Sequence, residues 1–313
     1  MSIYIALGLA TVLSNLVGIY VVLKSKRFRL FGFLALGDLV FGFAFLTAGM
    51  ARIVYQFTGM YDKSVPLSQC LLAPWWHFFA SGYLWPTLAT LFMSLERVAA
   101  VAYPVWYKAR WTYENETILV IFASLTVLIL SVPASSIALA TSSENRTTME
   151  CALSKTVGLG YTLFYTSIPV FGGLLILISN IYISLISKRQ FSKLNLPEND
   201  AYIIRQNRLN RSVCSIVVTS VIFVICPNLC ILASDLEIIN LNYLIRSYCV
   251  LLFGANSLIS FYCYFSLNSE FRKLTIKYIF KRSMTTVRAI RVVPMIATAT
   301  MGIALRNTED TVK

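Results

Sequence analysis

Seven long apolar stretches limit what this chain can become. They fall at residues 2–23, 31–54, 70–96, 117–140, 159–186, 213–235 and 243–265. A helix needs about 20 mostly apolar residues to cross the hydrocarbon core of a bilayer. The segments therefore predict an all-α membrane protein, a bundle of seven transmembrane helices. Composition agrees: 57% of residues are hydrophobic and 13% charged, whereas a soluble domain carries about 25% charged residues. Apolar sequence starts at Ile3 with no preceding basic region or cleavage site. The first segment thus reads as a retained span and not a signal peptide.

Orientation follows from the loops. The first connection, KSKRFR, holds four basic residues and no acid. Lys188, Arg189, Lys193, Arg205, Arg208 and Arg211 follow the fifth segment, and Arg272, Lys273, Lys277, Lys281 and Arg282 follow the seventh. On the other side Arg52, Lys63, Arg146, Lys155 and Arg246 are offset by Asp62, Glu144, Glu150, Asp235 and Glu237. Positive charge stays in the cytoplasm, so the N-terminus is expected outside and the C-terminus inside. The Asn145-Arg146-Thr147 sequon then faces outward as a glycosylation acceptor. The sequons at Asn115 and Asn210 face inward and are expected to be inert. Cys70 and Cys151 both fall on the oxidising side, which permits a disulfide or two separate thiols. Cys214, Cys226, Cys230, Cys249 and Cys263 lie within spans and read as small packing residues.

A net charge of +13 would suit a nucleic-acid binder. Here the basic residues sit between apolar blocks and no soluble basic surface remains, so no nucleic-acid partner is expected. Seven cysteines without a CxxC pair, and the single histidine His77, point to no metal site and no cofactor. HExxH, GxSxG and a second deep aspartate are all lacking, which argues against an enzyme. Paired halves and several intramembrane charges would mark a transporter, and neither is visible. A channel filter repeat is likewise not found. The expected organisation is a seven-transmembrane domain over 1–282 and a tail over 283–313. The domain closes with a short amphipathic helix, in which Phe271, Leu274, Tyr278 and Ile279 can share a face apart from Arg272, Lys273 and Lys277. Such a helix suits the inner membrane surface and anionic lipid. The apolar tail segment from Val292 to Leu305 is too short for a span.

The stretch SLERVAAVAYP, Ser94 to Pro104, places Glu96 and Arg97 at the inner end of the third span. With seven spans and an outer N-terminus, it resembles the rhodopsin-like G-protein-coupled receptors. Glu96, Arg97, Ala100, Val101 and Pro104 keep that superfamily's spacing, with Val98 in place of its tyrosine. Asn15 and the run Leu34-Ala35-Leu36-Gly37-Asp38 resemble its first- and second-span motifs, and Pro169 and Pro227 its fifth- and sixth-span prolines. Asn256, Ser257 and Tyr264 keep the seventh-span register, while Ser260 and Phe261 replace the usual Asn-Pro pair. The resemblance covers residues 2–282. The short N-terminus and the eroded motifs are similar to nematode chemosensory receptors, and Pro86-Thr87-Leu88 with SLERVAAVAYP and Tyr107 resembles their class SX group.

The resemblance implies specific roles. Glu96 restrains Arg97 at rest, and Arg97, Pro104 and Tyr264 serve coupling to a heterotrimeric G protein. Asn15, Asp38 and Asn256 form a polar core, in which Pro86 and Ser260 depart from the superfamily's sodium network. Pro227 kinks the sixth span, with Ile225 where a tryptophan switch would stand and Phe223 and Tyr264 as bulky substitutes. Cys70 and Cys151 correspond to the outer disulfide. Trp76, His77, Phe79 and Tyr83 line the outer half of the third span as pocket candidates. Phe79 stands where amine receptors carry aspartate, which disfavours a monoamine. The implied ligand is an extracellular small molecule or peptide. The implied location is the plasma membrane, in a sensory cilium for a chemosensory receptor. Asn207, twenty residues before Pro227, replaces the acid that would pair with Arg97. A neuropeptide-type receptor, a nonsignalling receptor-like scaffold and a transporter are the competing readings.

Overall fold

The computed structural model describes residues 2–25, 28–61, 63–66, 69–70, 73–111, 113–140, 146–148, 158–194, 215 and 217–279. Seven helices among them are long and apolar enough to cross a membrane. They include α1 (Ser2–Ser25), α2 (Arg29–Phe57), α3 (Pro74–Ala102), α5 (Tyr113–Ala140), α6 (Leu159–Leu194) and α8 (Tyr243–Leu267). The sixth span, Val217–Asp235, consists largely of a π-helical segment, Val221–Ile225, and helix α7 (Cys226–Asp235). A short helix α4 (Pro104–Arg110) follows the third span, and α9 (Ser269–Ile279) follows the seventh. Met1–Ser269 form one compact unit, and a second begins at Glu270. Within α9 the basic side chains Arg272, Lys273 and Lys277 are exposed.

Large apolar side chains cover the outside of the bundle. Leu13, Phe122, Ile129, Phe171 and Ile178 are all more than half exposed, as expected where hydrocarbon and not water meets the surface. Lipid gives helices little hydrophobic reason to associate, so close packing through small residues does this work. A Cβ at Gly8 would lie 2.6 Å from the backbone nitrogen of Leu46, and one at Gly82 would lie 2.8 Å from the Phe41 backbone. These two glycines let α1 and α3 close onto either side of α2.

The third helix differs from its expected span. It starts at Pro74 and runs to Ala102, so Glu96 and Arg97 sit inside the helix and not at its end. The apolar run Val98–Ala102 continues the turn until Pro104 stops it; that proline opens α4 at its first position, where a missing N–H costs nothing. The sixth span is also irregular. Pro227 cannot donate to the helix ladder, and its ring crowds the carbonyl four residues earlier. The helix widens just before it, with the Cys226 N–H bonded to Val221, five residues back. By contrast α8 runs unbroken through Ser260 and Phe261, since no proline interrupts it there.

Strands β1 (Ser64–Pro66) and β2 (Arg146–Thr148) pair antiparallel, with Val65 opposite Thr147. They join the loop before the third span to the loop after the fourth. Cys70 lies fully buried just beyond β1. Cys151, Asn145, Asn207, Asn210, Cys214 and the tail segment Val292–Leu305 lie outside the described residues. Cys226 and Cys230 are exposed free thiols on the sixth span and do not pack in the core; Cys249 is buried.

Candidate functional site

At the Cys70 end of the bundle the core is aromatic. Phe41, Phe45, Tyr83, Tyr165 and Phe253 form a buried cluster, with Phe79 and Tyr161 packed against it. Tyr83 stacks on Tyr165 at 5.4 Å between centroids and meets Phe253 edge-on at 5.5 Å. Phe79 stacks on Tyr83 at 5.9 Å. Of the four pocket candidates, Phe79 and Tyr83 join this cluster. Trp76 is buried one turn away. His77 departs from the expectation: it is exposed, because its helical position turns it away from the face that Trp76, Phe79 and Tyr83 share.

Tyr83 also reaches across the bundle. Its hydroxyl donates to the Asn228 side-chain oxygen. Asn228 is completely buried, and its Nδ2 donates to the Val224 carbonyl at 2.9 Å, inside the π-helical segment. The aromatic cluster is thereby tied to the irregular turn ahead of Pro227. Asn228 is a site residue that no sequence motif marked. An amide in the middle of an apolar span was the available signal, since polar groups there need partners.

One level deeper lie Asn15, Asp38 and Asn256, all buried. The partners seen for Asn15 and Asp38 lie outside this trio. Asn15 donates to the Thr11 carbonyl of its own helix at 2.9 Å. Asp38 interacts with Ser257, a residue legible in the sequence only for its register. Asn256 and Ser257 line a cavity of about 30 Å³ with Thr87, Thr90 and Ser220. That volume exceeds the roughly 10–15 Å³ one water requires.

The third level surrounds Arg97. Glu96 is 8% exposed, and its Oε2 stands 3.8 Å from Arg97 Nε. The other carboxylate oxygen accepts the Tyr107 hydroxyl of α4 at 2.5 Å. Burial, and then the neighbouring Glu96 charge, raise the Tyr107 phenol well above its ordinary value and keep it a donor. Pro104 sets this contact by starting the helix that carries Tyr107. Tyr264 stacks on Phe31, with centroids 3.9 Å apart and planes 9° from parallel, and meets Phe28 edge-on at 6.0 Å. Phe28 holds a left-handed backbone, φ 59°, a strained state for a bulky residue. Together with Arg29, Glu96, Arg97, Glu116 and Tyr264, Phe28 and Phe31 line a cavity of about 130 Å³. Thr90 lines both cavities.

Two further links connect elements near these levels. Asp235, at the end of the sixth span, pairs with Arg246 near the start of the seventh. Asn180 of α6 donates to Ser94 of α3 at 3.2 Å, one turn before Arg97. Among the described residues, no group of three or more His, Cys, Asp or Glu side chains is placed to hold a metal ion.

The family model described as Serpentine type 7TM GPCR chemoreceptor Srv matches residues 2–281. The group is Srv, where the sequence motifs had pointed toward class SX. No curated protein matches the chain.

Proposed function

Since the chain belongs to the Srv family of serpentine seven-transmembrane chemoreceptors, we propose that it couples an extracellular small molecule to a heterotrimeric G protein. The ligand acts at the Cys70 end, and Arg97 is released toward the G protein at the opposite end. The observation that carries this reading is the cavity of about 130 Å³ that gathers Glu96, Arg97 and Tyr264 from two spans. A ligand can drive the change only by favouring the released bundle over the resting one. The route available to it runs from Phe79 and Tyr83 through Asn228 to the π-helical turn. That turn is a local irregularity of the kind often found at functional sites.

The aromatic character of the Phe79 level favours an apolar or cationic ligand. The loop charge bias supports an outer N-terminus and a cytoplasmic C-terminus in the plasma membrane, with a sensory cilium fitting a chemoreceptor. The β1–β2 pairing brings together the two loops that carry Cys70 and Cys151, which supports a disulfide between them. Asn145, just before β2, is the proposed glycan acceptor.

The test is nucleotide exchange on a panel of purified heterotrimers, with receptor in lipid nanodiscs and a library of small volatile and soluble compounds. Arg97→Ala should lose ligand-driven exchange while ligand binding persists. If a ligand binds and Arg97→Ala exchanges at the parent rate, this role for Arg97 is wrong. If a ligand binds and no heterotrimer responds to the parent receptor, the nonsignalling scaffold replaces the receptor reading.

A further inference from the structure

We propose that Glu116, at the start of the fourth span, is a second positioning residue for Arg97 and shares its restraint with Glu96. The proposal rests on the reading of Arg97 as the coupling residue.

Glu96 cannot hold Arg97 well by itself. Adjacent residues on a helix do not face each other, and the closest approach of the pair is 3.8 Å. One Glu96 oxygen is already taken by Tyr107. A guanidinium offers five donors in a fixed fork, so a single side-on carboxylate satisfies little of it. Where the resemblance would put another acid, the sequence holds the uncharged Asn207.

The cavity supplies the missing charge. Its walls carry two guanidinium groups, Arg29 and Arg97, and two carboxylates, Glu96 and Glu116. The Glu96 charge acts most on Arg97 and the Glu116 charge adds to it; Glu116 in turn is repelled by Glu96 and attracted by Arg29 and Arg97. Without Glu116, two cations would face one anion in a partly buried site, an arrangement that low dielectric penalises. The residue after Glu116 is tied to α2. Arg29 Nη1 donates to Thr117 Oγ1, on the next residue, at 2.7 Å. This bond fastens the start of α2 to the first turn of α5. The restraint on Arg97 thus comes from the third and fourth spans, and Arg29 of the second span competes with Arg97 for the Glu116 carboxylate.

The test needs neither ligand nor G protein. Purified receptor in nanodiscs is treated with phenylglyoxal, and modification of Arg97 is followed by peptide mass spectrometry. The rate is read relative to the exposed Arg272 in the same sample. Glu116→Gln should raise the Arg97 to Arg272 ratio about threefold, the scale of one partly exposed ion pair, and Glu116→Asp should stay nearer the parent. Arg29→Gln should lower the ratio, because Glu116 then turns to Arg97 alone. The second variant carries the test if Glu116→Gln does not fold. An unchanged ratio in Glu116→Gln, or a raised one in Arg29→Gln, overturns the proposal. Failure of exchange in every heterotrimer, with the ratios moving as expected, would sink the coupling reading and leave this restraint standing.

Discussion

Breaking the bond between Tyr83 and Asn228 should cost energy that neither residue accounts for alone. Tyr83→Phe removes the hydroxyl and leaves the Asn228 oxygen without that donor at a completely buried position. In a soluble core such an orphan costs about 1–3 kcal/mol. Between transmembrane helices the measured coupling is smaller, about 0.6 kcal/mol on average and about 1.7 at most, because the unfolded state in the membrane also finds partners. The coupling expected here is therefore between about 0.6 and 1.7 kcal/mol. Asn228→Leu should cost more than Tyr83→Phe, since it also breaks the 2.9 Å bond to the Val224 carbonyl. The double variant should then lose little beyond Asn228→Leu. Reversible unfolding in mixed micelles, run as a double-mutant cycle on four purified proteins, measures the coupling directly. Independent sites add to within about 0.3–0.5 kcal/mol. A cycle that closes inside that margin would refute the claim that this bond ties the aromatic cluster to the sixth span.

Gly82→Ala should destabilise the receptor by about 1–3 kcal/mol, because the new methyl would meet the Phe41 backbone at 2.8 Å; a thermal melt in nanodiscs checks it. Tyr107→Phe removes the hydroxyl that occupies Glu96 and Glu96→Gln removes the charge beside Arg97; exchange without ligand should separate the two, with Glu96→Gln rising and Tyr107→Phe falling as Glu96 is freed for Arg97. Asp38→Leu should weaken the dose response at equal surface expression, since Ser257 loses its acceptor, and an unchanged response would leave Asp38 a packing residue. Accessibility tags at Asn145 and Lys193 should label from outside and inside the cell respectively; labelling of both from one side would reject the orientation.

The seven spans were legible in the chain because lipid imposes a one-dimensional rule: enough consecutive apolar residues to cross it. The Glu96-Arg97 pair and Asp38 were legible for the converse reason, as charges conspicuous against that background. Sequence order could also register the absence of a helix breaker at Phe261, and α8 runs straight there as a result. Partners were a different matter. That Asp38 meets Ser257 and that Tyr83 meets Asn228 depends on which faces of distant helices turn toward each other. Contacts of a glycine with backbone 41 residues away, as at Gly82 and Phe41, fix those rotations. His77 shows the same limit from the other side: its type suggested a pocket contact, and one step of helical rotation put it on the exposed face. Glu116 was unremarked as a charge at a membrane edge, where charges are common. Only the approach of α2, α3 and α5 makes it the fourth member of a balanced set with Arg29, Glu96 and Arg97, because electrostatic pairing depends on separation in space and not along the chain.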